Sequence, residues 1–153
     1  MQSEGMVHAL EEIHRLLKPG GVLVDIHPVA EPMVVEVVQE GRVVFTQPGP
    51  DTYIESYRQA NQALDQVVQR GLYATDRQAT IDFLVYGSSA TELRDFLVEA
   101  NAYEESTMAE EESAQEAELF ALVEEVLEKA GEGAEVATHE RGLITRMRST
   151  NRM

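Results

Sequence analysis

The segment that most constrains the fold lies near the start of the chain, where a helical pattern meets a proline, two glycines and an apolar run. Apolar residues recur there at helical spacing: Met6, Leu10, Ile13 and Leu17. An amphipathic helix with one buried face is therefore expected. Pro19 cannot continue that helix, and Gly20 with Gly21 gives the backbone the freedom for a tight reversal. Residues 22–26 then form a short apolar run typical of a strand covered on both faces.

Composition excludes several classes of function. The 153 residues suffice for one domain and contain no cysteine, which excludes disulfides, a thiolate nucleophile and a cysteine-ligated metal. No apolar run approaches the ~20 residues that span a bilayer, and the chain does not open with a basic and apolar leader. A cytoplasmic protein with no membrane partner is therefore expected. The net charge of -16 repels phosphates, so no nucleic-acid partner is expected either.

The acidic excess is concentrated between residues 104 and 135, where Lys129 is the only basic residue. A solvated helix face explains this pattern, and an acidic surface that docks a basic partner is the alternative.

Local signals predict the remaining elements in chain order. A hairpin over 33–46 turns at Gly41, a helix runs from an Asp51 N-cap to about Arg70, and a strand follows over 80–86. A Ser89–Glu92 capping box then opens a helix, and after a break over 101–107 come a helix that ends at Gly131 and a strand over 134–148 interrupted near 140–142. This order predicts an α/β or α+β fold with a mixed, largely antiparallel sheet of about five strands and helices packed on it. One domain is expected over residues 1–153, with a helix-turn-strand unit over 1–28, a hairpin insertion over 29–50, and helix-strand-helix-helix-strand over 51–153.

The opening string, from Ala9 to Val24, resembles a segment of class I S-adenosylmethionine-dependent methyltransferases, in which a helix and a Lys-Pro-Gly-Gly turn lead into strand five. By that resemblance residues 22–26 are strand five, 80–86 are strand six, and 143–148 belong to strand seven, which lies antiparallel between the other two. The likeness covers nearly the whole chain, although only the Lys-Pro-Gly-Gly region is specific. It implies the second, substrate-side half of a Rossmann-like methyltransferase fold.

The cofactor-binding half of that family is missing from these residues. The family holds S-adenosylmethionine with a glycine-rich turn that follows a strand and opens a helix. Gly20-Gly21 and Gly131-Glu132-Gly133 instead precede a strand or end a helix. No catalytic or cofactor-binding residue is assigned, and the chain alone is not expected to bind S-adenosylmethionine or to catalyse methyl transfer.

A substrate-side surface would remain, because ligands of open α/β sheets bind beyond the carboxyl ends of the strands. The residues predicted to bind a small-molecule ligand there are Asp25, His27, Pro28, Tyr53, Tyr57 and Arg58. Hydrogen bonding at a strand end and ordinary packing are the competing explanations for the same residues.

Histidine is the usual acid-base residue and metal ligand near neutral pH. Asp25 and His27 project to the same side of a strand and could begin a metal or proton-transfer site. Zinc needs three or four converging ligands, and no spaced set supplies them, so no metal site is assigned. A surface or capping role is favoured for the four histidines: His8, His14, His27 and His139.

Strand five without its usual neighbour would expose a row of unpaired amides and carbonyls. A homodimer or a complementary cofactor-binding subunit is therefore the expected partner, and the 33–46 hairpin could also cover that edge. Two functions remain open: a methyltransferase fragment or component that is inactive alone, and a noncatalytic binding or dimerisation module derived from the same half. An unrelated α+β enzyme is a third possibility, which is disfavoured because the sequence shows no nucleophile-base arrangement and no phosphate loop.

Overall fold

A computed structural model describes residues 3–100 and 110–150, which form a mixed α/β structure with an antiparallel sheet. The helices and strands of these two ranges are α1 (Ser3–Leu16), β1 (Val22–Pro28), β2 (Val34–Gln39), β3 (Arg42–Pro48), α2 (Ile54–Gln69), β4 (Tyr73–Gly87), α3 (Ala90–Ala100), α4 (Glu110–Ala130) and β5 (Glu135–Ser149). The predicted class, helices with a largely antiparallel sheet of about five strands, is confirmed at this level.

The turn between α1 and β1 needs both of its glycines. Gly20 has a φ of +74°, which is left-handed backbone that glycine adopts without strain. Gly21 has no room for a side chain, because a Cβ there would lie 2.8 Å from the Lys18 carbonyl oxygen. The turn is also tied to the end of β5: Gly20 N–H donates to the Ser149 carbonyl, and Ser149 N–H donates to the Gly21 carbonyl. The predicted helix-turn-strand unit is confirmed.

The predicted hairpin is also confirmed, as β2 and β3. Its two turn residues, Glu40 and Gly41, both have positive φ, 50° and 75°, which matches the tight turn that right-twisted strands prefer. A register shift between Val37 and Val38 interrupts the ladder that joins the two strands.

Several predicted boundaries are wrong. The N-cap of α2 is Tyr53 and makes no side-chain capping hydrogen bond, so Asp51 does not cap the helix. β4 starts at Tyr73, earlier than the predicted residue 80. β5 continues through residues 140–142 because neighbouring strands pair with it on both sides of that point, β2 up to His139 and β1 from Gly142. The break predicted over 101–107 lies outside the described residues.

The chain divides into two compact units. The first unit comprises residues 1–30, 53–81 and 141–153, so β4 and β5 contribute residues to both units. In it α1 packs on α2, and a buried cluster forms its core: Val7, Leu10, Ala63, Leu64, Val67, Tyr73 and Met147. Apolar burial of this kind contributes about 25 cal/mol per Å² of area removed from water.

The second unit comprises residues 31–52 and 82–140. Its core joins β2 and the start of β5 to α3 and α4, and its buried members are Val35, Val37, Ala90, Leu93, Leu119, Phe120, Val123, Leu127 and Val136. The capping box at α3 is confirmed in part: Glu92 N–H donates to Ser89 Oγ at 3.0 Å, whereas the Glu92 carboxylate accepts from Ser88.

β1 is covered on one face only within the first unit. Leu23 lies opposite the fully buried Met147 of β5, so the face of β1 that carries Leu23 is turned towards the core. Val22, Val24 and Ile26 on the other face are 40%, 52% and 59% exposed. The prediction of a strand covered on both faces is therefore wrong for this chain as described.

Candidate functional site

The first unit brings Asp25 and His27 of β1 together with Asn61 of α2. His27 and Asp25 lie two residues apart and share the face of β1 that turns towards the helices. His27 Nδ1 is hydrogen bonded to the Asp25 carboxylate, and His27 Nε2 lies 2.7 Å from Asn61 Oδ1. The side chains of His27 and Asp25 are only 11% and 17% exposed. We call these three residues the Asp25–His27–Asn61 cluster.

The cluster favours the charged form of histidine. Both ring nitrogens face an oxygen acceptor, and only the imidazolium has an N–H on each. The hydrogen bond to Asp25 raises the pKa of His27 above its ordinary value of 6.5, and the contact with Asn61 raises it further, although burial opposes both. The cluster therefore favours a charged, part-buried imidazole ring between the Asp25 side chain and the Asn61 amide.

This arrangement can transfer a proton at one atom. Asp25 fixes the imidazole through Nδ1, as the carboxylate does in acid-base pairs of enzymes. Nε2 is then the atom that would exchange a proton or a hydrogen bond with a ligand, once Asn61 yields its place.

The other predicted site residues are placed less closely. Tyr57 lies one helical turn before Asn61 on α2, so the two share a helix face, and its ring centroid is 6.4 Å from that of Tyr53. Pro28 ends β1 directly after His27. Arg58 is exposed and pairs with Glu55 at 3.6 Å. The structure thus joins Asp25 to His27, and it sets Tyr57 on the same helix as their third partner.

Sequence reasoning missed Asn61. A polar residue four positions after Tyr57 and three before Leu64 lies on the half-buried face of an amphipathic helix, where an amide needs a hydrogen-bond partner. That signal was available, but its partner could not be read from the sequence, because His27 is 34 residues away.

A second histidine cluster lies in the second unit. His139 of β5 has its Nδ1 3.0 Å from Glu36 of β2 and its Nε2 2.9 Å from Asp82 of β4. Hydrogen bonds to Glu36 and then Asp82 raise the pKa of His139 above 6.5. The two carboxylates approach opposite ring nitrogens, so they do not converge on a common point. Over residues 3–100 and 110–150 no group of three or more histidine, aspartate or glutamate side chains could hold a metal ion.

His14 contradicts the expectation of a surface or capping histidine. It is 4% exposed in the first core, and its ring meets that of Tyr73 edge-on, with centroids 5.3 Å apart. Tyr73 Oη in turn donates to the Leu10 carbonyl at 2.7 Å. His14 therefore belongs to the packing of α1.

A family-type S-adenosylmethionine site needs a glycine-rich turn that follows a strand and opens a helix. Two described strands lead through a turn or strand end with a glycine into a helix: β3 leads through Gly49 to α2, and β4 ends at Gly87 shortly before α3 begins at Ala90. At the start of α3 two amides already donate to carboxylates: Ser88 N–H donates to Glu92 and Ala90 N–H donates to Glu124 at 3.0 Å. Hydrogen bonds from Ser88 lower the pKa of Glu92, which keeps this carboxylate ionised. The helix start therefore offers negative charge where the family presents free amides to its ligand.

Shallow clefts occur among the described residues of the second unit. One, of about 300 Å³, is lined by Pro48, Gly49, Pro50, Leu119, Leu122 and three polar residues. Another, of about 270 Å³, lies between α3 and α4 beside Arg94 and Phe120. None of the six predicted substrate-binding residues lines either cleft.

No described helix combines the length and the apolar character that a membrane span requires. A scan against protein-family models and a search of curated proteins both returned no match to this chain.

Proposed function

We propose that this chain is the substrate-side half of a class I S-adenosylmethionine-dependent methyltransferase fold, and that it works with cofactor-binding residues that lie outside these 153 residues. The observation that carries the proposal is the pairing of β5. β5 is antiparallel and pairs with both β1 and β4, which is the order that the resemblance implies for strands five, seven and six.

The start of α3 supports the same division of labour. Carboxylates of Glu92 and Glu124 occupy its amides, so this glycine turn does not serve as a cofactor site. The cofactor-binding function is therefore assigned to another segment, in the same reading frame or in a separate subunit.

The Asp25–His27–Asn61 cluster is the proposed contact for a small-molecule methyl acceptor. Its two β1 residues lie in the carboxyl-terminal half of that strand, near the end where open α/β sheets bind ligands. His27 Nε2–H would donate a hydrogen bond to the acceptor group, and the ring would take the acceptor's proton only from its neutral form, while Asp25 holds the ring in place.

The first test concerns the DNA beside the coding region. The proposal predicts a glycine-rich strand-turn-helix encoded in frame upstream or in an adjacent gene. When the two segments are produced together, they should transfer a labelled methyl group from S-adenosylmethionine to small-molecule acceptors. Absence of any such coding segment would contradict the proposal.

A pair of histidine variants tests the assigned site in that assembly. His27→Gln should lower methyl transfer at least about tenfold, because a positioned acid-base group contributes about 10²-fold or more. His8→Gln is the matched control, since the His8 side chain is 76% exposed and should be dispensable. Equal rates for the two variants would remove His27 from the site.

A second candidate function is a noncatalytic binding or dimerisation module. It is favoured by the exposed apolar face and open edge of β1, which remain available whether or not a methyl acceptor binds.

A further inference from the structure

β1 has one edge without a strand. Residues 22–28 pair with residues 142–148 of β5, and β1 pairs with no other strand in the described parts of the chain. The hairpin, which could have covered this edge, pairs with residues 135–139 of β5 instead. One row of β1 amides and carbonyls is therefore free to bind another strand.

The side chains of β1 do not protect this edge. Its exposed residues, Val22, Val24 and Ile26, are all apolar, and Asp25 is turned to the opposite face and held by His27. The other edge strands differ. Exposed charged residues run along β4, among them Asp76, Arg77 and Asp82, whereas β3 starts at Arg42 and ends at Pro48. Charged side chains are a usual means by which proteins block edge-to-edge pairing, and the exposed residues of β1 include none. Pro28 ends β1, as Pro48 ends β3, so residues 22–27 are the part of the edge that can pair.

We propose that β1 pairs antiparallel with β1 of a second copy, about a twofold axis at Val24. In this register Val24 faces Val24 of the partner subunit, and Val22 faces Ile26 of the partner subunit. The exposed apolar residues of β1 from the two copies then lie together on one face of the joined sheet. A register centred on Asp25 would place two carboxylates opposite each other, which is unfavourable.

The charge distribution favours contact through this part of the chain. The residues of the first unit include nine Lys and Arg against seven Asp and Glu, a net charge of +2. Those of the second unit include three against twenty-one, a net charge of -18. Two copies that pair through β1 therefore meet through the unit whose net charge is small, so little charge repulsion opposes the contact.

This inference rests on the open edge and not on the methyltransferase proposal. A complementary cofactor-binding segment would compete for the same edge of β1. The β1–β1 dimer is therefore expected when this chain is present without such a segment. Failure of one proposal leaves the other standing.

The absence of cysteine makes the register directly testable. Val24→Cys places two thiols across the axis, where paired strands hold Cα atoms about 4.5–5.5 Å apart, within the range of a disulfide. Mild oxidation should give a cross-linked dimer. Val44→Cys on β3 is the matched control, because Val24 and Val44 are both 52% exposed, and it should remain largely monomeric on a nonreducing gel.

Sedimentation equilibrium provides a second readout. The unmodified chain should be a dimer at tens of micromolar. Val24→Lys should weaken dimerisation at least about tenfold through opposed like charges, with an unchanged circular dichroism spectrum, whereas Val44→Lys should not. A monomeric chain, equal cross-linking of the two cysteine variants, or a dimer insensitive to Val24→Lys would overturn the proposal, as would cross-linking of Val24→Cys only to a different protein.

Discussion

At the scale of single residues, two histidines are each held between two oxygen acceptors. His27 has a carboxylate and an amide as neighbours, whereas His139 has two carboxylates from two other strands. A neutral imidazole can donate only one hydrogen bond, so each arrangement is complete only when the ring is charged. His139 thereby links β2, β4 and β5 through its charge.

The His139 link predicts a pH dependence of stability. Its pKa is raised on folding, so its contribution is fully present below the unfolded value of about 6.5 and is lost as the pH rises through the folded value. The free energies of unfolding of the wild type and of His139→Gln, measured in urea, should differ most below the unfolded pKa and converge as the pH rises through the folded pKa of His139. His27 also has a raised pKa, but it is present in both proteins, so its contribution cancels in the difference between their free energies of unfolding. A difference that grows with pH would contradict this assignment.

Among the helices and strands, local sequence signals determine where some elements begin and end, whereas pairing with distant strands determines how long others are. Pro19, Gly20 and Gly21 end α1 and start β1, and each acts through its own backbone, so this boundary could be predicted. The same holds for the Glu40-Gly41 hairpin turn. The early start of β4 and the continuity of β5 depend on strands distant in sequence, and local patterns do not contain that information.

The candidate site shows the same limit. Asp25 and His27 are neighbours on one strand, so their juxtaposition followed from strand geometry. Asn61 joins them only because α2 packs on the sheet of the first unit, which no local pattern encodes. The buried position of His14 was missed for a similar reason, since the face that α1 buries is set by α2 and Tyr73.

The turn before β1 offers a test at the element scale. Gly21→Ala should lower the free energy of unfolding by about 1–3 kcal/mol, because its Cβ would press on the Lys18 carbonyl and the backbone must shift. Gly20→Asn is the comparison: it has open space, and asparagine tolerates left-handed backbone, so its cost should be smaller. Urea denaturation measures both, and a larger loss for Gly20→Asn would show that the crowding at Gly21 is not limiting.

At the scale of the whole molecule, the charge is divided unequally. The second unit carries nearly all the acidic excess, and along α4 only Lys129 opposes its glutamates. Ion pairs such as Arg94 with Glu116, at 3.7 Å, offset little of this repulsion because they are largely exposed. Like charges at this density destabilise the folded state of the acidic segment.

This imbalance predicts that salt stabilises the protein. Sodium chloride shortens the screening length from about 30 Å at 0.01 M to about 3 Å at 1 M, which weakens repulsion among the glutamates. The urea midpoint should therefore rise over this range. A midpoint that fell with salt would mean that the exposed ion pairs outweigh the repulsion.

We propose that these residues hold the substrate side of a methyltransferase fold without its cofactor site. The most direct test is calorimetric titration of S-adenosylmethionine into the isolated chain and into the chain combined with its cofactor-binding segment. We predict no saturable heat for the isolated chain and saturable binding for the combination. Micromolar binding by the isolated 153 residues would contradict the account.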